Sequence, residues 1–206
     1  MFSLTRRTFT RLATGVAFAL ALPAVAFAGQ SPEAETFIQN LADEAVTILS
    51  DKNISEAEKI SRFDVILSRD VDMGRVGRFV LGRYWRGLPE AELNTYLETY
   101  QDYLIHSNAA RLSAYAGDKI VVKNSVPDAR DQFIVQSEVP NDQGSPFKID
   151  WRVRVKDGEM KVVDIIVEGI SMALTQRDEF AGIMQRSGGK IDPLMVRMKK
   201  VIGNDA

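Results

Sequence analysis

Between residues 120 and 167 the chain passes through four alternating segments with no helical pattern between them: Ile120/Val122, Phe133/Val135/Ser137/Val139, Phe147/Ile149/Trp151/Val153/Val155 and Val163/Ile165/Val167. A period of two sends successive side chains to opposite faces of a sheet, so each segment predicts a half-buried strand. Strands joined without crossover helices pair antiparallel. Turns are predicted at Pro127-Asp128, from Asn141 to Pro146, and at Asp157-Gly158, whose residue types suit a type I′ hairpin. The result is a four-stranded antiparallel meander. Because helical patterns flank it on both sides, the fold class is α+β: a sheet packed against several helices, with an N-terminal helical portion.

The flanking helices are read from apolar spacing and caps. Phe37, Ile38, Leu41, Ala45, Ile48 and Leu49 recur at helical intervals, and Ser55 with Glu58 gives a capping-box pattern ahead of Ile60, Phe63, Ile66 and Leu67. These predict an antiparallel helix pair. Asp72 can cap a third, short helix toward Leu81, in which Gly77 and Gly82 permit close backbone approach. A long helix follows Pro89 and carries Leu93, Tyr96, Leu97, Tyr100, Tyr103, Leu104 and Leu112 as far as a stop at Gly117. After the sheet, Thr175 with Asp178 predicts another helix start, Gly188-Gly189 its end, and Asp192 the start of a final helix.

Residues 1–28 separate from the rest. Arg6, Arg7 and Arg11 precede an acid-free apolar run closed by Ala26-Phe27-Ala28, the pattern of a cleaved signal peptide. Arg6-Arg7 with Phe9 fits the twin-arginine export type, and an ordinary secretory leader fits as well. Both predict export, with residues 29–206 as a single α+β domain. Of the 26 basic residues three lie in this leader, so 23 face 28 acidic ones and the mature net charge is −5. Such a surface repels nucleic-acid backbones and anionic headgroups, which argues against nucleic acid as a partner and against permanent residence on a membrane. The chain has no cysteine, so its stability must come from packing even in an oxidising compartment.

The residues offer little catalytic chemistry. Gly169-Ile170-Ser171-Met172-Ala173 resembles a nucleophile elbow, but the one histidine, His106, precedes the serine and the strands read antiparallel. Ser171 is therefore expected to serve as a turn or cap hydroxyl. His106 has no second imidazole or thiol near it in sequence, and Asp70 with Asp72 lacks the spacing of a calcium loop, so no metal and no cofactor is expected. Asp70 and Asp72 read as capping and solvated residues. The series Arg75, Arg78, Arg83 and Arg86, with Tyr84 and Trp85 suited to a protein contact, can bind a phosphate or a partner's acidic groups, or simply form a solvated helix face.

Two blocks carry a family pattern. The stretch WRVRVKDGEMKVVDIIVEGISMALTQRDEF at residues 151–180, with its WR, DG, VEGxSM and TxRxEF elements, and GRFVLGRYWR at residues 77–86, resemble the MlaC family of periplasmic phospholipid-binding proteins, also called the toluene-tolerance family. The resemblance implies a non-enzymatic carrier that holds acyl chains between sheet and helices with a phospholipid as cargo. It also implies partners: an inner-membrane MCE-protein and ABC-transporter complex and an outer-membrane lipoprotein complex, served by a monomer in the periplasm to maintain outer-membrane lipid asymmetry. Alternation selects Phe133, Val135, Val139, Trp151, Val153, Val155, Val163, Ile165 and Val167 from the sheet, and Leu97, Tyr100 and Leu104 from the long helix, as the expected lipid-binding walls. The same residue types would build a closed core, so a packed periplasmic interaction module and a carrier of a hopanoid-type or other lipid stand as alternatives.

Overall fold

The computed structural model describes residues 29–114, 119–129, 131–141 and 144–204. The leader expected over residues 1–28 and the helix stop expected at Gly117 lie outside the described residues.

Short polar side chains set the helix starts, Ser55 and Asp72 as the sequence predicts and Ser31 in addition. The Ser31 hydroxyl accepts the Ala34 N–H at 3.2 Å to open α1 (Pro32–Ser50), and Pro32 takes a first-turn position where no donor is needed. Ser55 accepts from the Glu58 N–H and opens α2 (Glu56–Asp70). Asp72 accepts from Arg75 N–H and opens α3 (Met73–Leu81), which ends at Gly82 with φ +64° and ψ −136°. A 3-10 segment over Gly82–Gly87 then leads to α4 (Glu90–Ala114). After the sheet come α5 (Met172–Arg186) and α6 (Asp192–Asn204), separated by Gly188 and Gly189, both at positive φ. The start of α5 differs from expectation. Ser171, not Thr175, is its cap, and the Thr175 hydroxyl instead donates to the Ser171 carbonyl from within the first turn.

The sheet is an antiparallel meander in the order β1-β2-β3-β4-β5, with β1 Val121–Ala129, β2 Gln132–Val139, β3 Phe147–Lys156, β4 Glu159–Val167 and β5 Ile170–Ser171. Pro127 and Asp128 are not a turn but part of β1, where a missing N–H is tolerated because β1 is an edge strand. The fifth strand, only two residues long, follows a tight turn in which Glu168 and Gly169 have φ of +48° and +81°. Asp157 and Gly158 repeat that geometry at +53° and +82°, as the sequence predicts for a type I′ turn. Beyond β5, the outer edge of β4 is covered by Val71, which bridges Val162 in parallel while Asp72 N–H donates to the Val162 carbonyl.

Two apolar clusters result. In one, Val135, Val153 and Val162 of the sheet pack against Ala34, Ile38 and Leu41 of α1 and Ile66 of α2. The other lies beyond β4 and joins Val80 and Leu81 of α3, Tyr96, Tyr100 and Tyr103 of α4, Phe180 and Met184 of α5, and Leu194 and Met198 of α6. Among the described residues only Val71 packs against both. Close approach of α3 to α4 depends on Gly77: a Cβ there would lie 2.4 Å from Leu97 Cδ2, and the Tyr96 hydroxyl donates to the Gly77 carbonyl at 3.0 Å.

The left-handed backbone of Gly82 yields a test. Gly82→Ala is expected to destabilise the protein by about 1–3 kcal/mol through strain at φ +64°, read as a lowered urea midpoint with an unchanged slope.

Candidate functional site

The cross-strand register shows which of the sequence-selected residues share a wall. Phe133 opposes Val153, Val135 opposes Trp151, and Val139 opposes Phe147. Trp151 in turn opposes Ile165, Ile149 opposes Val167, and Val155 opposes Met160. Phe133, Val135, Val139, Trp151, Val153, Val155, Ile165 and Val167 therefore lie on the single face that α1 and α2 cover. The opposite face of β3 carries Lys148, Asp150, Arg152, Arg154 and Lys156.

Val163 departs from this set. The register shifts between Arg152 and Val153 so that Arg152 opposes Asp164 and Val153 opposes Val162, leaving Val163 as the extra residue of a bulge. Its side chain joins the helical cluster instead. Leu97, Tyr100 and Leu104 belong to that cluster too, with the Tyr100 hydroxyl donating to Gln176 Oε1 at 3.2 Å and its ring edge-on to Phe180. Burial pushes the phenols of Tyr96 and Tyr100 well above their ordinary range. The twelve residues chosen from the sequence thus form two walls, one on the sheet and one among the helices, on either side of Val71.

The sheet wall is not sealed. Val135 and Val153 are fully buried, whereas Phe133, Trp151, Val155, Ile165 and Val167 are only partly so. Trp151 is oriented by its indole N–H, which donates to Ser137 Oγ at 3.0 Å, and Ser137 passes its own proton to the Ile149 carbonyl. A cleft of about 710 Å³ opens where α2, α3, α4 and the β3–β4 hairpin meet; Val71 and Met73 form its apolar part, and Arg154, Lys156, Lys161, Asp157 and Glu159 its polar part. None of the sequence-selected apolar residues lines this cleft. Sequence patterning missed it because its residues come from four elements and alternate with no common period.

The remaining candidates have structural surroundings. Ser171 Oγ donates to Asp164 Oδ2 at 2.6 Å and accepts from Leu174 N–H at 3.1 Å, so it caps α5 and meets no imidazole. Asp164 is buried and also accepts from Ala173 N–H at 3.0 Å and from Arg152 Nη1 at 2.8 Å. Asp70 is buried against Arg69 rather than solvated. His106 has a buried Nδ1 without a hydrogen-bond partner among the described residues, and the nearby Asp102 carboxyl is pushed up by burial and by Asp64. Among the described residues no group of three or more His, Cys, Asp or Glu could hold a metal ion, and no helix is long and apolar enough to cross a membrane.

Arg78, Arg83, Tyr84, Trp85 and Arg86 gather at the end of α3 and along the 3-10 segment. Two guanidinium groups approach the Trp85 ring, Arg78 at 5.9 Å and Arg86 at 5.7 Å, and Arg83 stands 5.2 Å from the Tyr84 ring.

An open antiparallel sheet with one apolar, incompletely sealed face under helices, beside a separate helical core, describes a small α+β protein built around apolar walls. The chain belongs to the MlaC family, whose model matches residues 39–200. It is 26% identical over 128 residues to the toluene tolerance protein ttg2D of Pseudomonas putida, covering 62% of this chain and 60% of that protein. It is 25% identical over 134 residues to the intermembrane phospholipid transport system binding protein MlaC of Haemophilus influenzae, covering 63% of this chain and 62% of that protein. These alignments span about three-fifths of the relatives' lengths. The fold is shared with the phospholipid-binding protein from Ralstonia solanacearum solved in complex with a phospholipid, with a TM-score of 0.70 at 20% identity over 83% of this chain and 97% of that one.

The Ser171 geometry sets a test. Ser171→Ala removes a cap and one donor to a buried carboxylate, so stability is expected to fall by about 1–3 kcal/mol in urea unfolding. Any hydrolysis of nitrophenyl esters by the same preparation is expected to stay unchanged, and its loss would make the serine a nucleophile.

Proposed function

We propose that this protein is a periplasmic phospholipid carrier, holding acyl chains against the covered face of the sheet with the headgroup toward solvent. It passes its cargo between an outer-membrane lipoprotein complex and an inner-membrane MCE-protein and ABC-transporter complex, and so supports outer-membrane lipid asymmetry. The observation that carries this reading is the sheet wall, a largely apolar face on which Phe133, Trp151, Val155, Ile165 and Val167 stay partly open, with Trp151 and Ile165 packed against the cluster of α1 and α2. A finished core would seal such residues; a surface meant to meet acyl chains leaves them accessible once a helix shifts. Val135, Val139 and Val153 form the floor of that wall, and Leu97, Tyr100, Leu104 and Val163 form the second wall beyond Val71. Membership of the MlaC family and the phospholipid in the Ralstonia relative support the ligand class.

The reaction needs no bond chemistry, metal or cofactor. Each buried methylene is worth about 0.8 kcal/mol against water, so two chains with roughly 30 methylenes hold on the order of 24 kcal/mol and do not escape into solvent. Transfer into a bilayer exchanges one apolar environment for another, so the net free energy of handover is small and contacts with the membrane complexes set its direction.

Native mass spectrometry of the protein exported in its own host and purified without detergent tests this. One phospholipid per chain is expected, and lipid-free protein that takes none up from liposomes would leave a packed interaction module instead. Ile165→Glu is expected to abolish lipid recovery, and Trp151→Ala to reduce it with the fold retained by circular dichroism. Full occupancy in both folded variants would remove the sheet wall from the binding site.

A further inference from the structure

We infer that the arginine and aromatic surface at the end of α3, the 3-10 segment and the start of α5 is a docking site for a carboxylate-rich face of a partner protein. It goes beyond lipid carriage, since it concerns the outside of the molecule and holds whatever the interior contains.

Four guanidinium groups converge there, each placed over a ring. Arg78 and Arg86 both lie over Trp85, Arg83 lies over Tyr84, and Arg177 of α5 lies 4.9 Å from the ring of Phe79 on α3. Arg177 also reaches Gly82, where its Nε would be 3.7 Å from an added Cβ, so the α5 arginine and the 3-10 segment share one surface. None of the four forms an ion pair among the described residues, although Arg62, Arg69, Arg152, Arg154 and Arg197 all do. Their own hydrogen bonds are to neutral groups: Arg78 donates to the Gly74 carbonyl and Arg83 to the Tyr84 hydroxyl. In a chain of net charge −2, these four cations without an ion pair form a local positive patch that a face of opposite charge complements.

The chemistry of the surface selects that partner. All four cations are arginine, whose planar fork matches a carboxylate through two parallel hydrogen bonds, and stacking on the rings holds the forks in place before contact. Beside them stand exposed apolar side chains, Phe79 at 39% and, within a turn of Arg177, Leu174 at 51% of full exposure. Arginine, tryptophan and tyrosine around an apolar anchor are the residues that dominate protein–protein binding energy. A lipid surface fits less well, because guanidinium groups set against fixed rings suit a structured face more than a fluid bilayer.

A photo-cross-linking residue, p-benzoylphenylalanine, replacing Phe79 in the full chain expressed in its host tests the assignment, with the same residue replacing Val196 of α6, 67% exposed, as control. The expected product is an adduct at position 79 to a protein segment in which Asp and Glu outnumber Lys and Arg. In the combined Arg83→Glu, Arg86→Glu, Arg177→Glu variant the adduct is expected to fall about tenfold or more. The corresponding three-lysine variant should lose less, because it keeps the charge without the fork. If the glutamate variant does not fold, the lysine variant and the sequence of the cross-linked segment decide. An adduct to lipid, a segment without acidic excess, equal yield in the glutamate variant, or no protein adduct above the Val196 control overturns the proposal. Lipid content of the same preparations by native mass spectrometry separates loss of docking from loss of cargo.

Discussion

The buried carboxylate of Asp164 is the contact on which the junction of sheet and helices depends. It sits on β4, where the chain must leave the sheet for α5, and it takes hydrogen bonds from the Ser171 hydroxyl, the Ala173 N–H and Arg152. A buried charge left unpaired costs several kcal/mol, so these donors must all be in place for the junction to form. Arg152 extends the network to Asp128 of β1 at 2.8 Å, linking non-adjacent strands across the polar face. In a chain without cysteine, this arrangement does what a covalent tie would otherwise do: it fixes the start of α5 and, through Phe180, the helical cluster relative to the sheet.

The bulge at Val163 belongs to the same design. Without an extra residue opposite Arg152 and Val153, β4 would keep strict alternation, and Asp164 could not share a face with Arg152 while Val162 and Ile165 both faced α1 and α2. One inserted residue reconciles these needs and sends Val163 into the helical cluster. This is why alternation counted along the sequence misplaces Val163: a period of two carries no record of a residue that pairing will skip. The other sheet residues were legible because their partners keep register.

Legibility was high wherever a local rule decides the outcome. Ser55 and Asp72 cap helices because a short polar side chain before an apolar period satisfies free N–H groups, and Asp157-Gly158 turns because two successive positive φ values suit those residue types. It was lower where tertiary context decides. Pro127 reads as a turn until β1 proves to be an edge strand, and Glu168-Gly169 does not announce a tight turn because Glu rarely adopts φ +48°. Thr175 and Asp178 match a capping pair, yet Ser171 wins because Asp164 receives it there. The candidate walls were legible as apolar residues, but their division into two clusters was not. That division depends on Val71, a single residue between α2 and α3 that bridges β4 from outside the meander.

That division bears on how a carrier of this architecture could work. If acyl chains lie along the sheet wall, the helical cluster need not open to admit them: Tyr96, Tyr100, Tyr103 and Phe180 stack on one another and pack with α6, and Val163 alone of the β4 bulge joins them from the sheet. The cluster can then serve as the rigid part against which α1 and α2 move. The arginine and aromatic surface is built on this rigid part, from α3, the 3-10 segment and α5. On the proposed carrier reading, a partner docking there would hold the helical cluster and leave α1 and α2 free to shift over the sheet wall. Handover between two apolar environments gains little free energy of its own, so separating the grip from the moving wall lets a partner direct the transfer without distorting the surface it grips.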